Sequence, residues 1–209
     1  PQIKTALKAI RELVGNDIQL HILGFAKADQ IDEFKDYNIT SFDSTSPLIR
    51  AFKDSNRNYY VSNADGTMSY YSAIRIPQAL ENRTLKDLAK EGKFSQEDFQ
   101  NREKHALDAI RSYDAGSADL NEALSVLMAY SGPLLIGKDE YLNEKDIKKR
   151  HTLEQRYRET LEAKPWQSCK CAICQKVGVE TIIFRGGNRN RRRGFHNLEI
   201  YHNHLKKFI

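Results

Sequence analysis

The chain has 209 residues, 40% of them hydrophobic and 29% charged, with a formal net charge of +5. That is length and apolar content enough for one sizeable domain, or a domain with an added lobe, and it excludes a disordered or collagen-like chain. No apolar run approaches the ~20 residues that span a bilayer, no signal-peptide pattern opens the chain, and its three cysteines are clustered. A soluble protein of the reducing cytoplasm, off the membrane and without a disulfide framework, is therefore expected.

Residues 2–14 carry Ile3, Ala6, Leu7, Ile10, Leu13 and Val14 at helical spacing, ended by Gly15-Asn16-Asp17. The sequence begins at Pro1 with this pattern already in progress, so a longer parent protein is expected. Ile18–Phe25 reads as a short buried strand ended by glycine. Asp29 is placed to cap a following helix with Ile31, Phe34 and Tyr37 inward, and Asn38–Asp43 forms a second strand. This order with short links predicts parallel strands in a β/α layer, where ligands bind at the carboxyl ends of the strands. Leu23-Gly24 and Asp43 stand at those ends. An aspartate ahead of Ser44-Thr45-Ser46-Pro47 also suits a turn or cap, so the residues alone leave its role open.

From Pro47 to Tyr60 the chain is basic and polar, with Arg50, Lys53 and Arg57. Tyr59–Ser62 and Ser69–Ile76 read as strands joined across Asn63-Ala64-Asp65-Gly66. Segments 84–91, 95–113, 118–130 and 139–163 have helical spacing, with Asp119 or Ser117 available to cap the third. They form an accessory lobe with nothing catalytic in it; His105 and His151 lie on charged helices and are expected at the surface.

Cys169-Lys170-Cys171-Ala172-Ile173-Cys174 brings three thiolates onto one turn. Zinc takes four thiolate or imidazole ligands in a tetrahedron, so a fourth must come from downstream: His196, His202 or His204. His196 follows a glycine and opens an apolar helix, where a loop delivers it to the metal, whereas His202 and His204 fall further into that helix and suit the surface. Four protein ligands make Zn2+ structural, with no position open for an activated water. Free or redox-active thiols are the competing possibility. Val177–Phe184 reads as a strand entering a glycine-rich loop that holds Arg185, Arg189, Arg191, Arg192 and Arg193. A charge run is most often a solvated face, but arginine forks beside a rigid metal knot match phosphate oxygens, and a nucleic-acid backbone is the expected partner.

The cysteine triplet followed by His196-Asn197-Leu198 resembles the zinc site of the tRNA-guanine transglycosylase superfamily. Leu23-Gly24 and Phe42-Asp43-Ser44-Thr45-Ser46-Pro47 resemble two more of its motifs, in the same order: the strand end that covers the bound base, and the Phe-Asp-x-x-x-Pro element with the nucleophilic aspartate. Residues 40–53 and 184–197 look closest to the DNA-directed, DpdA-like branch, because Pro47 is followed by Leu48-Ile49-Arg50 where the tRNA enzymes usually continue Thr-Arg.

The resemblance implies an α/β fold, the C-terminal part of a (β/α)8 TIM-type barrel with a helical insertion and a zinc-binding subdomain. Residues 1–62 would then be the last β/α units, 63–165 a mainly helical lobe, and 166–209 the zinc subdomain with a closing helix. It implies a transferase, a pentosyltransferase of queuosine-related chemistry, that replaces guanine in DNA by a 7-deazaguanine (7-cyano-7-deazaguanine, preQ0-type) through a covalent aspartyl–sugar intermediate. Asp43 would be the nucleophile, Leu23 and Gly24 base contacts, Cys169, Cys171, Cys174 and His196 the zinc ligands, and Arg50 with the five later arginines nucleic-acid contacts. Partners would be DNA, with tRNA as the alternative, and proteins of a DNA-modification system. A zinc-stabilised nucleic-acid-binding module without a reaction of its own is the remaining alternative. Groups that recognise the guanine edge come from earlier barrel strands in the family and have no counterpart here, so part of an active site is expected.

Overall fold

The computed structural model of the chain describes residues 2–25, 28–92, 94–136 and 143–207; of residues 28–32, 135 and 136 it describes the backbone alone. The first helix, α1 (Gln2–Val14), is amphipathic as expected, yet buries only Leu7 and leaves Ile3, Ile10, Leu13 and Val14 exposed. Strands β1 (Leu20–Ile22) and β2 (Ile39–Phe42) pair in parallel, Leu20 opposite Ile39 and Ile22 opposite Phe42. The expected strand at 18–25 is thus shorter, but pairing runs past it: Asp43 N donates to Ile22 O (3.2 Å) and Phe25 N to Asp43 O (2.9 Å). The link is a 3-10 helix, Ala28–Tyr37, whose Phe34 ring meets Phe25 edge-on with centroids 4.9 Å apart. The side chains of Asp29 and Ile31, expected as cap and inner-face residues, lie outside the described ones.

The basic stretch after Asp43 holds a helix that its polarity concealed, α2 (Ser46–Lys53), with Pro47 in the first turn, where a missing N–H costs nothing. Strands β3 (Tyr59–Ser62) and β4 (Met68–Tyr71) form the expected hairpin, Tyr59 opposite Tyr71. The strand expected at 69–76 is split: β5 (Ile74–Arg75) leaves the hairpin and pairs in parallel with β6 (Ile183–Phe184). Helices α3 (Arg83–Lys90), α4 (Gln96–Asp114), α5 (Leu120–Ile136) and α6 (Glu144–Ala163) follow the periodic segments closely. Their starts are fixed by side-chain oxygens on orphan N–H groups: a reciprocal Ser95–Asp98 box for α4, and for α5 Asp119 Oδ1, which accepts from Asn121 N (2.7 Å) and Glu122 N (3.0 Å).

Two further elements differ from expectation. The segment 177–184 is mostly not a strand: α8 (Ala172–Val177) runs into a 3-10 turn, Gly178–Thr181, leaving only β6 extended. Val179 and Thr181 of that turn and Ile182 after it are buried, so this part of the β-branched run serves the core without a ladder, and only Ile183 and Phe184 pair as strand. The arginine segment is not a loop either. Helix α9 spans Gly187–Leu205, so His196 sits mid-helix rather than at its start. His204, expected at the surface, is buried; His202, His105 and His151 are exposed.

The strands form three two-stranded sheets, and among the described residues there is no closed barrel. One large core joins the helical region, β5–β6 and the cysteine segment around Tyr59, Tyr157, Trp166 and Ile183. A smaller one holds Leu7, Phe25, Phe34, Tyr60 and Tyr201. Alternation in β3 points Tyr59 into the first and Tyr60 into the second. Helix α9 lies against both α2 and β3. At Gly194 an added Cβ would meet Leu48 Cδ2 at 2.9 Å and Phe52 Cε2 at 3.4 Å, so a larger residue there would require these side chains of α2 to shift.

Candidate metal centre and the carboxylate at the strand end

A short helix, α7 (Pro165–Ser168), follows the left-handed turn at Lys164 and delivers Cys169 as its C-cap; Cys171 is the N-cap of α8. Cys174, one turn on, donates its N–H to Cys171 Sγ (3.3 Å). His196 comes across from α9. The donor atoms of Cys169, Cys171, Cys174 and His196 all lie within 4.8 Å of one another. His196 Nδ1 stands 3.7, 3.2 and 3.5 Å from the three sulfurs in that order. Bond lengths of about 2.3 Å to sulfur and 2.0 Å to nitrogen give an S···N edge of about 3.5 Å in a tetrahedron, so the four donors fit zinc.

The surroundings fit a ligand set too. His196 Nε2 bonds Tyr60 O at 2.9 Å, which puts the proton on Nε2 and leaves the Nδ1 lone pair facing the thiols. The Tyr59 ring stacks on the imidazole, centroids 4.0 Å apart, and its hydroxyl reaches Cys174 Sγ at 3.1 Å. Burial, and then the charge of Cys174, push the Tyr59 hydroxyl far above its ordinary value, so it stays protonated and donates to the sulfur. Hydrogen bonds from Cys171 and Cys174 hold the Cys169 thiol well below its ordinary value, and the bonds that Cys174 shares with Cys169 and Cys171 push Cys174 up. Three thiols this close, those of Cys171 and Cys174 buried and that of Cys169 half-buried, cannot all ionise without a cation among them. With zinc bound, the metal would act as a closed structural crosslink between the α7–α8 segment and α9. Neither Tyr59 nor Asn197 was assigned a role from sequence. Asn197 accepts from Tyr60 N (3.0 Å) and donates to Pro47 O and Asn58 O (both 3.1 Å), tying α9 to α2 and β3 beside the metal ligand.

Asp43 follows the last residue of β2, at the carboxyl end of the parallel pair. Its Oδ1 accepts from Gly24 N at 3.0 Å and lies 3.4 Å from His21 Nε2, whose other ring nitrogen bonds Ser41 Oγ at 2.8 Å. The carboxylate stays 54% exposed, so it is oriented without being enclosed. Leu23 beside it is 82% exposed, and Gly24 takes a positive φ of 61°, the turn that aims its N–H at the carboxylate. His21 was missed from sequence; the one signal was a polar residue at the centre of an apolar strand.

Over 205 residues, 98% of its length, the chain is 36% identical to a DNA-guanine transglycosylase of Salmonella montevideo. The chain is a homologue of that protein. The resemblance carried by the cysteine triplet and the Phe42-Asp43 motif is thereby borne out. The chain spans about half the length of this curated relative, 46% of it. No family model matches the chain.

The arginines divide by environment. Arg193 is fully buried: Nη1 donates to Ile183 O (3.1 Å), and Nη2 to Ala51 O (2.6 Å) and Asn190 Oδ1 (2.8 Å). Burial lowers its pKa to about 9. Its guanidinium therefore faces the protein and holds α9 to β6 and α2. Arg185 pairs with Glu103, and Arg189 with Glu180 at 2.6 Å. Arg191 and Arg192 are exposed. Arg50 lies over the rings of Tyr60 and Tyr70 at 6.0 and 5.8 Å.

Proposed function

We propose that the chain supplies the nucleophile and the zinc anchor of a base-exchanging transglycosylase that replaces guanine in DNA by a 7-deazaguanine of preQ0 type. The observation that carries this is Asp43 at the end of a parallel strand pair, with one oxygen held by Gly24 N–H and His21 and the group open to solvent. The relationship to a protein named as DNA-guanine transglycosylase supports it. On this reading β1 and β2 are the last strands of a barrel that the rest of a longer protein completes.

Asp43 attacks C1′ of the target nucleotide; the C1′–N9 bond breaks and its electron pair leaves with guanine, which takes up a proton. The sugar is held on the carboxylate until N9 of the incoming base, giving up its own proton, attacks the same carbon and expels Asp43. Two displacements return the original configuration, as in retaining glycosidases. Leu23 offers an apolar face to the base and the Gly24 turn allows its close approach. The base must leave the stack to be reached, and Arg191, Arg192 and Arg50 hold the strand meanwhile. Arg193 positions α9 from inside.

The test uses the full-length protein. Asp43→Asn abolishes exchange of labelled guanine into duplex DNA while leaving DNA retention intact. Persistent exchange removes Asp43 as the nucleophile. Labelling of tRNA in place of DNA by the unmodified protein would reassign the substrate.

A further inference from the structure

Away from Asp43 and the thiols, a groove of about 670 Å³ opens between α6, α5, the end of α2 and the β5–β6 pair. Its rim is cationic. Lys145, Lys148, Lys149 and Arg156 recur along one face of α6, at the spacing that puts helical residues one above another. Lys53, in the last turn of α2, and Arg75 of β5 complete the rim. The floor is apolar and partly aromatic, with Leu153, Tyr157 and Phe184 among its residues.

Six formal positive charges thus line one groove of a protein whose whole net charge is +5, and no carboxylate lines it among the described residues. Lys149 is compensated by Asp146 at 2.8 Å, and the neighbour of Arg156 is the neutral amide oxygen of Asn56. Like charges concentrated over an apolar floor attract an anion and raise its local concentration. The length matters as well. From Lys145 to Arg156 the helix rises about 16 Å at 1.5 Å per residue, which suits a row of phosphates better than one isolated anionic group.

We infer that this groove binds an unpaired segment of nucleic acid, its phosphates along the α6 cations and its bases against the partly exposed floor at Leu153 and Phe184. A duplex turns its phosphates outward and hides its base faces, so only a single strand offers both to one concave surface. That a DNA-modifying protein would meet such a strand, when a base is turned out, rests on the function proposed above; the binding itself does not.

The experiment replaces Lys145, Lys148 and Arg156 together by Gln in the full-length protein and follows labelled oligo(dT) by fluorescence anisotropy over a salt series. Three lost phosphate contacts should weaken binding about tenfold and reduce the slope of log K against log salt by about two. The near-UV circular dichroism and zinc content should be unchanged. A companion variant that exchanges Lys for Arg and Arg for Lys at the same positions should keep the affinity. Unchanged oligo(dT) affinity in the folded triple variant overturns the inference, and protection of α6 from hydrogen exchange in the same protein would assign the groove to the rest of the polypeptide. An equal loss for blunt duplex overturns it too, as a general electrostatic surface. Because Asp43→Asn leaves this binding untouched, failure here and failure of the exchange reaction are scored separately.

Discussion

Asp43 differs from an ordinary cap residue in what surrounds it. A capping aspartate spends its oxygens on the first turn of its own helix, whereas Asp43 Oδ1 is held across the strand pair by Gly24 N–H and His21. The His21 contact, at 3.4 Å, is at the limit of a hydrogen bond. His21→Ala should therefore slow exchange by only about fivefold, equivalent to roughly 1 kcal/mol of barrier, with KM unchanged; steady-state kinetics check this. Arg193 carries a larger load. Arg193→Met leaves three buried acceptors without donors and should cost about 2–4 kcal/mol, read from the denaturant midpoint, while Arg191→Ala stays within about 0.5 kcal/mol. At this scale the Cys169, Cys171, Cys174 and His196 cluster was legible, because three of its members fall on one turn and tetrahedral coordination would demand a fourth. His21, Tyr59 and Asn197 were not, because each acts on a partner 22, 115 or 137 residues away.

Between elements, α9 is fastened by two devices. The first is the Cys3His cluster, which could hold a metal ion. Elemental analysis should give one zinc per chain, and Cys171→Ser should abolish it and loosen residues 166–205, seen as faster amide exchange there; a metal-free variant with unchanged protection would remove the structural role of the metal. The second is Glu180, whose two oxygens meet Arg111 of α4 (2.8 Å) and Arg189 of α9 (2.6 Å). Burial raises the Glu180 carboxyl, but the two guanidiniums more than reverse that and hold it below the ordinary range. Its stabilising contribution is thus complete above the unfolded value of about 4.3 and is lost as pH falls through the lower folded value. Glu180→Gln should cost about 1–2 kcal/mol at neutral pH, given its partial exposure, and flatten the acid limb of a thermal-stability profile. The helices of the middle region were legible from periodicity and caps. The segment 177–184 and the arginine run were not, since a β-branched stretch and a glycine-rich stretch have weak local preferences that packing overrides.

In the whole molecule, α1 presents Ile3, Ile10, Leu13 and Val14 to solvent, Leu13 at 86%, and β1–β2 stands as a two-stranded sheet. Exposed apolar faces and open edges drive association. In the 209-residue chain, Ile10→Ser with Leu13→Ser should lower concentration-dependent self-association in sedimentation velocity. By itself the sequence determined what depends on spacing and local chemistry: the thiol turn, the capped helices, the β3–β4 hairpin and the acidic residue at the end of β2. Only the tertiary structure decided which arginines remain for a ligand and which cations share a groove. Burial and long-range pairing choose among identical side chains, and composition cannot.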